Sequence, residues 1–300
     1  ISTKEEKKSI TVATFSLLSV INGNVSGGIK TSQSEILPLS NLALTPTFLC
    51  DNSDGPIVFQ SDRFGFNNAD KVWDAKPTSL AILGDSFIEG VCVKPDTNIL
   101  SEIIKVYPNS LNLGIIGHGP LTMLGTIKEY LTFQQPKTVV WCYSANDIYP
   151  NLAMEKGNRI LMQYLKNEFS QNLIHHQADV DNVIEQYLQR GQNKSMEPQK
   201  LDAPAQSKQN HLMQFANTKF IKLYRVRQKV FRSILTKVNS DYGLFDQIIK
   251  SAKTTVASWQ GEMLFVYLPG PERFYKNQID PAKERVLQII KENGIEVVDI

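Results

Sequence analysis

Five short runs rich in Val, Ile and Leu punctuate the chain, at 79–83, 109–115, 137–143, 262–268 and 295–299. Each has strand length and is apolar enough for burial on both faces. Helical patterning fills the gaps between the first three, at about 96–107 and 120–134. Pro95-Asp96-Thr97 and Gly119-Pro120-Leu121 supply the start signals. This alternation leaves few folds open. Parallel neighbours need crossover connections, and crossover helices cover the faces of the sheet. The expected class is α/β, a three-layer α/β/α sandwich around a parallel sheet.

The flanking regions read differently. Residues 1–75 are rich in Ser, Thr, Asn and Gly, with short β-prone pieces such as Ile57-Val58-Phe59, and read as a β-and-loop segment before the α/β domain at 76–300. Within that domain, 151–258 reads as a helical insertion. Its helices are expected at 152–170, 172–190, 211–238 and 244–259, with a polar loop from Gly191 to Asn210. The net charge of +2 argues against a nucleic-acid partner or a general attraction to acidic lipid. Ile10 to Ile21 is too short to span a bilayer. Residue 1 is Ile, so an export signal or membrane anchor upstream stays open. Of three cysteines, Cys142 sits in a core-strand pattern. Cys50 and Cys92 lie in loop-like contexts, either paired or as two free thiols.

Three polar clusters fall at the ends of the first three apolar runs. Gly84-Asp85-Ser86-Phe87 closes the first, and Ser86 stands at the expected start of a helix, facing its positive end. Asn112-Leu113-Gly114-Ile115-Ile116-Gly117-His118 closes the second, and Ser144-Ala145-Asn146-Asp147 the third. Parallel sheets bind ligands beyond the carboxyl ends of their strands, so the three clusters should meet there. Ester cleavage explains the residue types. Ser86 Oγ attacks an acyl carbon. The Ser86 N–H, the unobstructed Gly117 N–H and the Asn146 amide receive the oxyanion. Asp85 and Asp147 fix the loops through local backbone N–H groups. Any one cluster is a common turn or cap; the ordered set of three carries the reading. The spacing of a P-loop and of G-x-G-x-x-G is absent.

These residues resemble the SGNH (GDSL-type) hydrolase superfamily. Gly84-Asp85-Ser86-Phe87 is similar to its first block, Asn112 to Gly117 to its second, and Ala145-Asn146-Asp147 to its third, with Ala145 where Gly is usual. Ser61-Asp62-Arg63-Phe64-Gly65-Phe66-Asn67-Asn68 and Pro136-Lys137 resemble SGNH-like proteins encoded with bacterial surface-polysaccharide genes. The resemblance implies a flavodoxin-like sandwich. It implies removal or transfer of acyl groups, often acetyl, on an O-acylated saccharide or glycan, by a periplasmic or cell-surface protein. It also implies an Asp-x-x-His base after the last strand. The chain reaches Asp299-Ile300 there, so the base is expected beyond residue 300. His118 can line the pocket or replace that base; His175, His176 and His211 read as surface residues of the insertion. No spacing suggests zinc, and the chemistry requires no metal or cofactor. The basic amphipathic stretch Lys219 to Arg232 reads as a solvated face over a core stripe, or as a contact for anionic glycan or headgroups. A second reading keeps the fold without turnover, as a glycan-binding or assembly protein. An Asp-x-x-His encoded beyond codon 300 would separate the two.

Overall fold

The computed structural model describes residues 28–30, 35–196, 241–270 and 280–300. The chain divides into two compact units, Ile1–Gln189 with Asp241–Ile300, and Arg190–Ser240. The first unit opens with two antiparallel pairs, β1 (Ile29–Lys30) with β2 (Glu35–Ile36), and β3 (Pro46–Asn52) with β4 (Gly55–Gln60). The five apolar runs then form one parallel sheet: β5 (Leu80–Leu83), β6 (Ser110–Asn112), β7 (Thr138–Tyr143), β8 (Glu262–Tyr267) and β9 (Glu296–Asp299). Their spatial order is β6-β5-β7-β8-β9. Counted along the chain this is 2-1-3-4-5, the flavodoxin-like order.

The helices follow from that order. The crossover from β5 to β6 runs one way across the sheet, and the later crossovers run the other way. Right-handed connections therefore place them on opposite faces. α1 (Ser86–Glu89) and α2 (Ile99–Ile103) cover one face, where Ile88 and Leu100 pack on Ile82, Val140 and Cys142. The other face carries α3 (Pro120–Thr126), which continues through a π turn, Ile127–Leu131, to Gln134. α4 (Arg159–Gln163) and α5 (Gln177–Met196) follow in sequence. α6 (Tyr242–Ala257) and α7 (Lys283–Glu292) complete the larger core with α3, against Leu83, Trp141, Tyr143 and Phe265. Alternate residues of β5, β7 and β8 thus enter different cores, as burial on both faces requires.

Three expectations change. α2 is shorter than 96–107; Asn98 caps it late, accepting the Ser101 N–H at 2.8 Å. The stretch 152–170 is broken, because Asn158 starts a fresh helix by accepting the Ile160 and Leu161 N–H groups at 2.9 and 3.1 Å. α5 runs to Met196, so 191–196 is helical where a loop was expected; Gln, Asn, Lys and Ser at 192–195 do not end a helix. Within the expected insertion 151–258, α6 belongs to the sheet as the crossover between β7 and β8. The expected helix 211–238 and the basic stretch Lys219 to Arg232 lie outside the described residues.

Residues 35–75 pack into the same core, with Leu37, Leu39, Phe66 and Trp73 buried. Their anchor is Asp62, fully buried. Oδ1 accepts the Phe64 and Phe66 N–H groups at 2.9 and 3.0 Å; Oδ2 accepts Asn68 Nδ2 at 2.8 Å and Trp73 Nε1 at 2.7 Å. Asn68 then acts as a short extra strand. Its amide accepts the Asn112 N–H at 2.7 Å and donates to the Asn112 carbonyl at 2.9 Å. β6 is an edge strand, and its outward backbone groups need partners. Cys50 and Cys92 are joined by a disulfide with Cα atoms 5.4 Å apart, tying β3 to the loop after α1. Cys142 is a free, buried core residue.

Asp62→Ala would strand four donors at once, three of them buried. We expect it to lower stability by roughly 3–5 kcal/mol, read from urea unfolding; a loss below about 1 kcal/mol would show that water or neighbours replace the carboxylate.

Candidate active site

At the end of β5 the chain turns through Gly84 and Asp85 straight into α1, of which Ser86 is the first residue. The turn requires glycine at 84, since an added Cβ would stand 2.3 Å from Ile88 Cγ1. Asp85 caps α1, with Oδ1 accepting the Phe87 N–H at 3.1 Å. Ser86 is half-buried, and Phe87 beside it is 53% exposed. Among the described residues no hydrogen bond engages Ser86 Oγ or the Ser86 N–H. α1 has only four residues. Few peptide dipoles add along so short a helix, so the expected gain from a helix positive end is small.

The loop after β6 folds onto this turn. Asn112 Nδ2 donates to the Ile88 carbonyl at 2.5 Å, and Asn112 Oδ1 accepts the Gly114 N–H at 2.9 Å. The Ile115 N–H donates to the Gly84 carbonyl at 3.3 Å. Gly114 allows this approach, because a Cβ there would stand 2.5 Å from Glu89 N. The Ile116 N–H donates to Glu89 Oε2 at 2.7 Å. Gly117 follows at φ +79°, in the left-handed region where side chains are strained. Among the described residues its N–H is also unpaired.

The end of β7 supplies the third part. Asn146 Nδ2 donates to Asp85 Oδ2 at 3.0 Å, which brings the amide beside the residue preceding Ser86. An amide nitrogen has two hydrogens, and the second stays available. Ser144 Oγ lies 3.1 Å from Asp85 Oδ2, 2.5 Å from Asn146 Oδ1 and 3.0 Å from Asp147 Oδ1. Asp147 Oδ2 accepts the Ser144 N–H at 3.2 Å. Burial, and secondarily the charge of Asp85, holds the Asp147 carboxyl well above the usual carboxylate range. A protonated Asp147 can donate to Ser144 Oγ, which then donates on toward Asp85.

β5 and β7 are hydrogen-bonded neighbours on either side of the point where the winding reverses. That crevice is where such sheets hold ligands. Gly84, Asp85, Ser86, Asn146 and Asp147 share it, and the loop carrying Gly117 is bonded to the same turn. His118 is different. Its ring is buried, neither nitrogen has a hydrogen-bond partner among the described residues, and burial pushes it down to about 3. It presents no surface to a substrate, against the expectation that it lines the pocket, and so deeply buried an imidazole is a poor general base. His175 and His176 are exposed, and His211 lies outside the described residues.

A cleft of about 450 Å³ opens elsewhere, lined by Arg63, Trp73, Lys76, Phe133 and His175 among others. Lys76 precedes β5 and Phe133 precedes β7, so it lies at the amino ends of the strands, opposite Ser86. Its cations are already engaged: Arg63 pairs with Asp70 and Asp74, and Lys76 sits 4.9 Å over the Phe133 ring. The strand-end crevice, not this cleft, has the groups for acyl chemistry.

Two contributors escaped the sequence reading. Ser144 was only the first residue of a cluster, yet its hydroxyl joins Asp85, Asn146 and Asp147. Glu89 was assigned no role, yet it is fully buried. The available signal for Glu89 was its place between Ile88 and the glycine that ends α1.

No family model and no curated protein matches the chain. Among solved structures it is similar to one titled "Crystal Structure of TesA", at 9% sequence identity and a TM-score of 0.37, over 73% of this chain and 76% of that one.

Asp147→Asn mimics the protonated acid and tests this electrostatic arrangement. A carboxyl with a raised folded-state pKa favours folding most below its unfolded value, and that benefit is lost as pH rises. The variant should therefore gain on the wild type as pH climbs above about 4, by up to about 1.4 kcal/mol per pH unit until Asp147 ionises. Thermal unfolding across pH reads this; a difference that is constant with pH would rule out the buried neutral acid.

Proposed function

We propose that the protein is a serine-dependent ester hydrolase or acyltransferase of the SGNH type, acting on O-acyl groups, foremost O-acetyl groups, of a saccharide or surface polysaccharide. The observation that carries this is the convergence at one turn. Asn146 is bonded to Asp85, and the loop of Gly117 is bonded to Gly84 and Glu89, on either side of a Ser86 hydroxyl that no described residue engages.

In this reading Ser86 Oγ attacks the acyl carbon as its proton passes to a base. The carbonyl oxygen becomes an oxyanion, received by the N–H groups of Ser86 and Gly117 and the free hydrogen of Asn146 Nδ2. Collapse breaks the ester bond; the sugar oxygen leaves with the proton, and the acyl group stays on Ser86. Water or an acceptor hydroxyl then attacks the acyl-enzyme, the base taking its proton, and collapse breaks the bond to Ser86 Oγ as the base returns that proton to it. The base is proposed to come from sequence that follows β9, as Asp-x-x-His, because β9 ends on the same carboxyl edge of the sheet. The disulfide supports action outside the cytoplasm, in an oxidising compartment. Membrane association through sequence upstream is part of the proposal; no helix among the described residues is long and apolar enough to cross a membrane.

The full-length protein should release 4-nitrophenol from its acetate ester, and transfer acetyl to an oligosaccharide if it is a transferase. Ser86→Ala should lower turnover by at least about 10³-fold, and Asn146→Ala by about 10²–10³-fold in kcat. Equal turnover by wild type and Ser86→Ala would remove Ser86 from the chemistry and leave the glycan-binding reading.

A further inference from the structure

Glu89 ends α1, and its carboxylate connects α1 to two other segments. Oε2 accepts the Ile116 N–H at 2.7 Å, and Oε1 accepts from Asn41 Nδ2 at 3.1 Å. The backbone of Glu89 is held too, its carbonyl accepting from Asn67 Nδ2 at 2.8 Å. The carboxylate thus fixes the peptide one step before the Gly117 N–H. A second observation points to two states. Asn41 Oδ1 is buried and has no hydrogen-bond partner among the described residues. If Glu89 carries a proton, the Asn41 amide can turn over and accept it. The surroundings thus accommodate either form. Only the ionised form gives Ile116 a charge-assisted bond.

We propose that Glu89 is a proton-sensitive positioning residue for the acyl-transfer site: its carboxylate seats the loop 113–117, and protonation loosens that seat and the Gly117 donor with it. This rests on reading Ser86 as the nucleophile.

The groups facing Glu89 are Asp85, the cap one turn earlier at the start of α1, the neutral amide of Asn41 and the Ile116 N–H; among the described residues no cation acts on it. Burial pushes the carboxyl up to about 7, against the bonds from Ile116 and Asn41, and Asp85 adds to the rise. Its charge therefore changes within the range where ester cleavage is assayed.

Glu89→Gln has the shape of the protonated acid and, like it, is uncharged with one donor group and one acceptor oxygen. Hydrogen exchange at the Ile116 amide, corrected for intrinsic pH dependence, is the first measurement. Protection should rise between pH 6 and 8 in the wild type and stay flat in Glu89→Gln. Protection that does not change with pH in the wild type overturns the proposal, and this arm stands even where the variant does not fold. The second measurement is kcat on 4-nitrophenyl acetate. Glu89→Gln should be about tenfold slower at pH 8 with KM nearly unchanged, less than the loss of a whole oxyanion donor, and the deficit should close by pH 6. The base titrates in both proteins, so the ratio of the two profiles belongs to Glu89. A ratio that is constant from pH 6 to 8 overturns the proposal. A wild type that cleaves no ester defeats the acyl-transfer reading instead, and exchange at Ile116 then decides whether Glu89 seats the loop.

Discussion

A carboxylate taken out of water must be surrounded by donors, and Asp62 meets that demand with four from its own neighbourhood. Burial drives its pKa upward, and the hydrogen bonds, Trp73 foremost, oppose the rise. The rest of the architecture hangs from this compromise. Fixing Asp62 fixes Asn68, and Asn68 completes the edge of the sheet at Asn112. Asn112 in turn holds Ile88 in the helix that begins with Ser86. Asn67, next to Asn68, holds the carbonyl of Glu89. Four polar residues from two distant segments therefore set where the first two clusters lie relative to each other.

The same device recurs. Glu155 closes the N-terminus of α3 by accepting from Gly119 and Leu121 at 2.8 and 2.9 Å. Glu129 gathers Tyr164, Ser170, Gln171 and Leu173 around one carboxylate. In each case irregular chain lies against the sandwich, and its backbone N–H groups would otherwise be buried without acceptors. A charge is the strongest acceptor available, and several donors offset its desolvation. Loops pinned in this way hold their remaining backbone donors in place, as the proposed oxyanion chemistry demands.

The sheet was legible because its signal is local. Runs such as Leu80–Leu83 and Thr138–Tyr143 are apolar on both sides, and only a covered parallel strand tolerates that. The placement of Gly84, Ser86 and Asn146 at strand ends came with the strands. Long-range pairing was not legible. Nothing in Ser61 to Asn68 announces that Asn68 will serve β6, and nothing in Glu89 announces burial; both depend on partners dozens of residues away. Cys50 and Cys92 carried two equally good readings until the fold brought them together. His118 misled for the opposite reason. Nearness in sequence to Gly117 suggested a shared surface, but the left-handed turn at Gly117 comes between them, and the His118 ring lies in the interior.

The turn after β5, the loop after β6 and the end of β7 all lie within one unbroken stretch, 84–147. The next described strand of the parallel sheet, β8, begins at Glu262, more than a hundred residues after β7 ends at Tyr143. A change of length between α5 and α6 therefore falls outside the stretch that bears Ser86 and its surrounding amides. Length changes and chimeric exchanges there should leave the strand-end crevice in place.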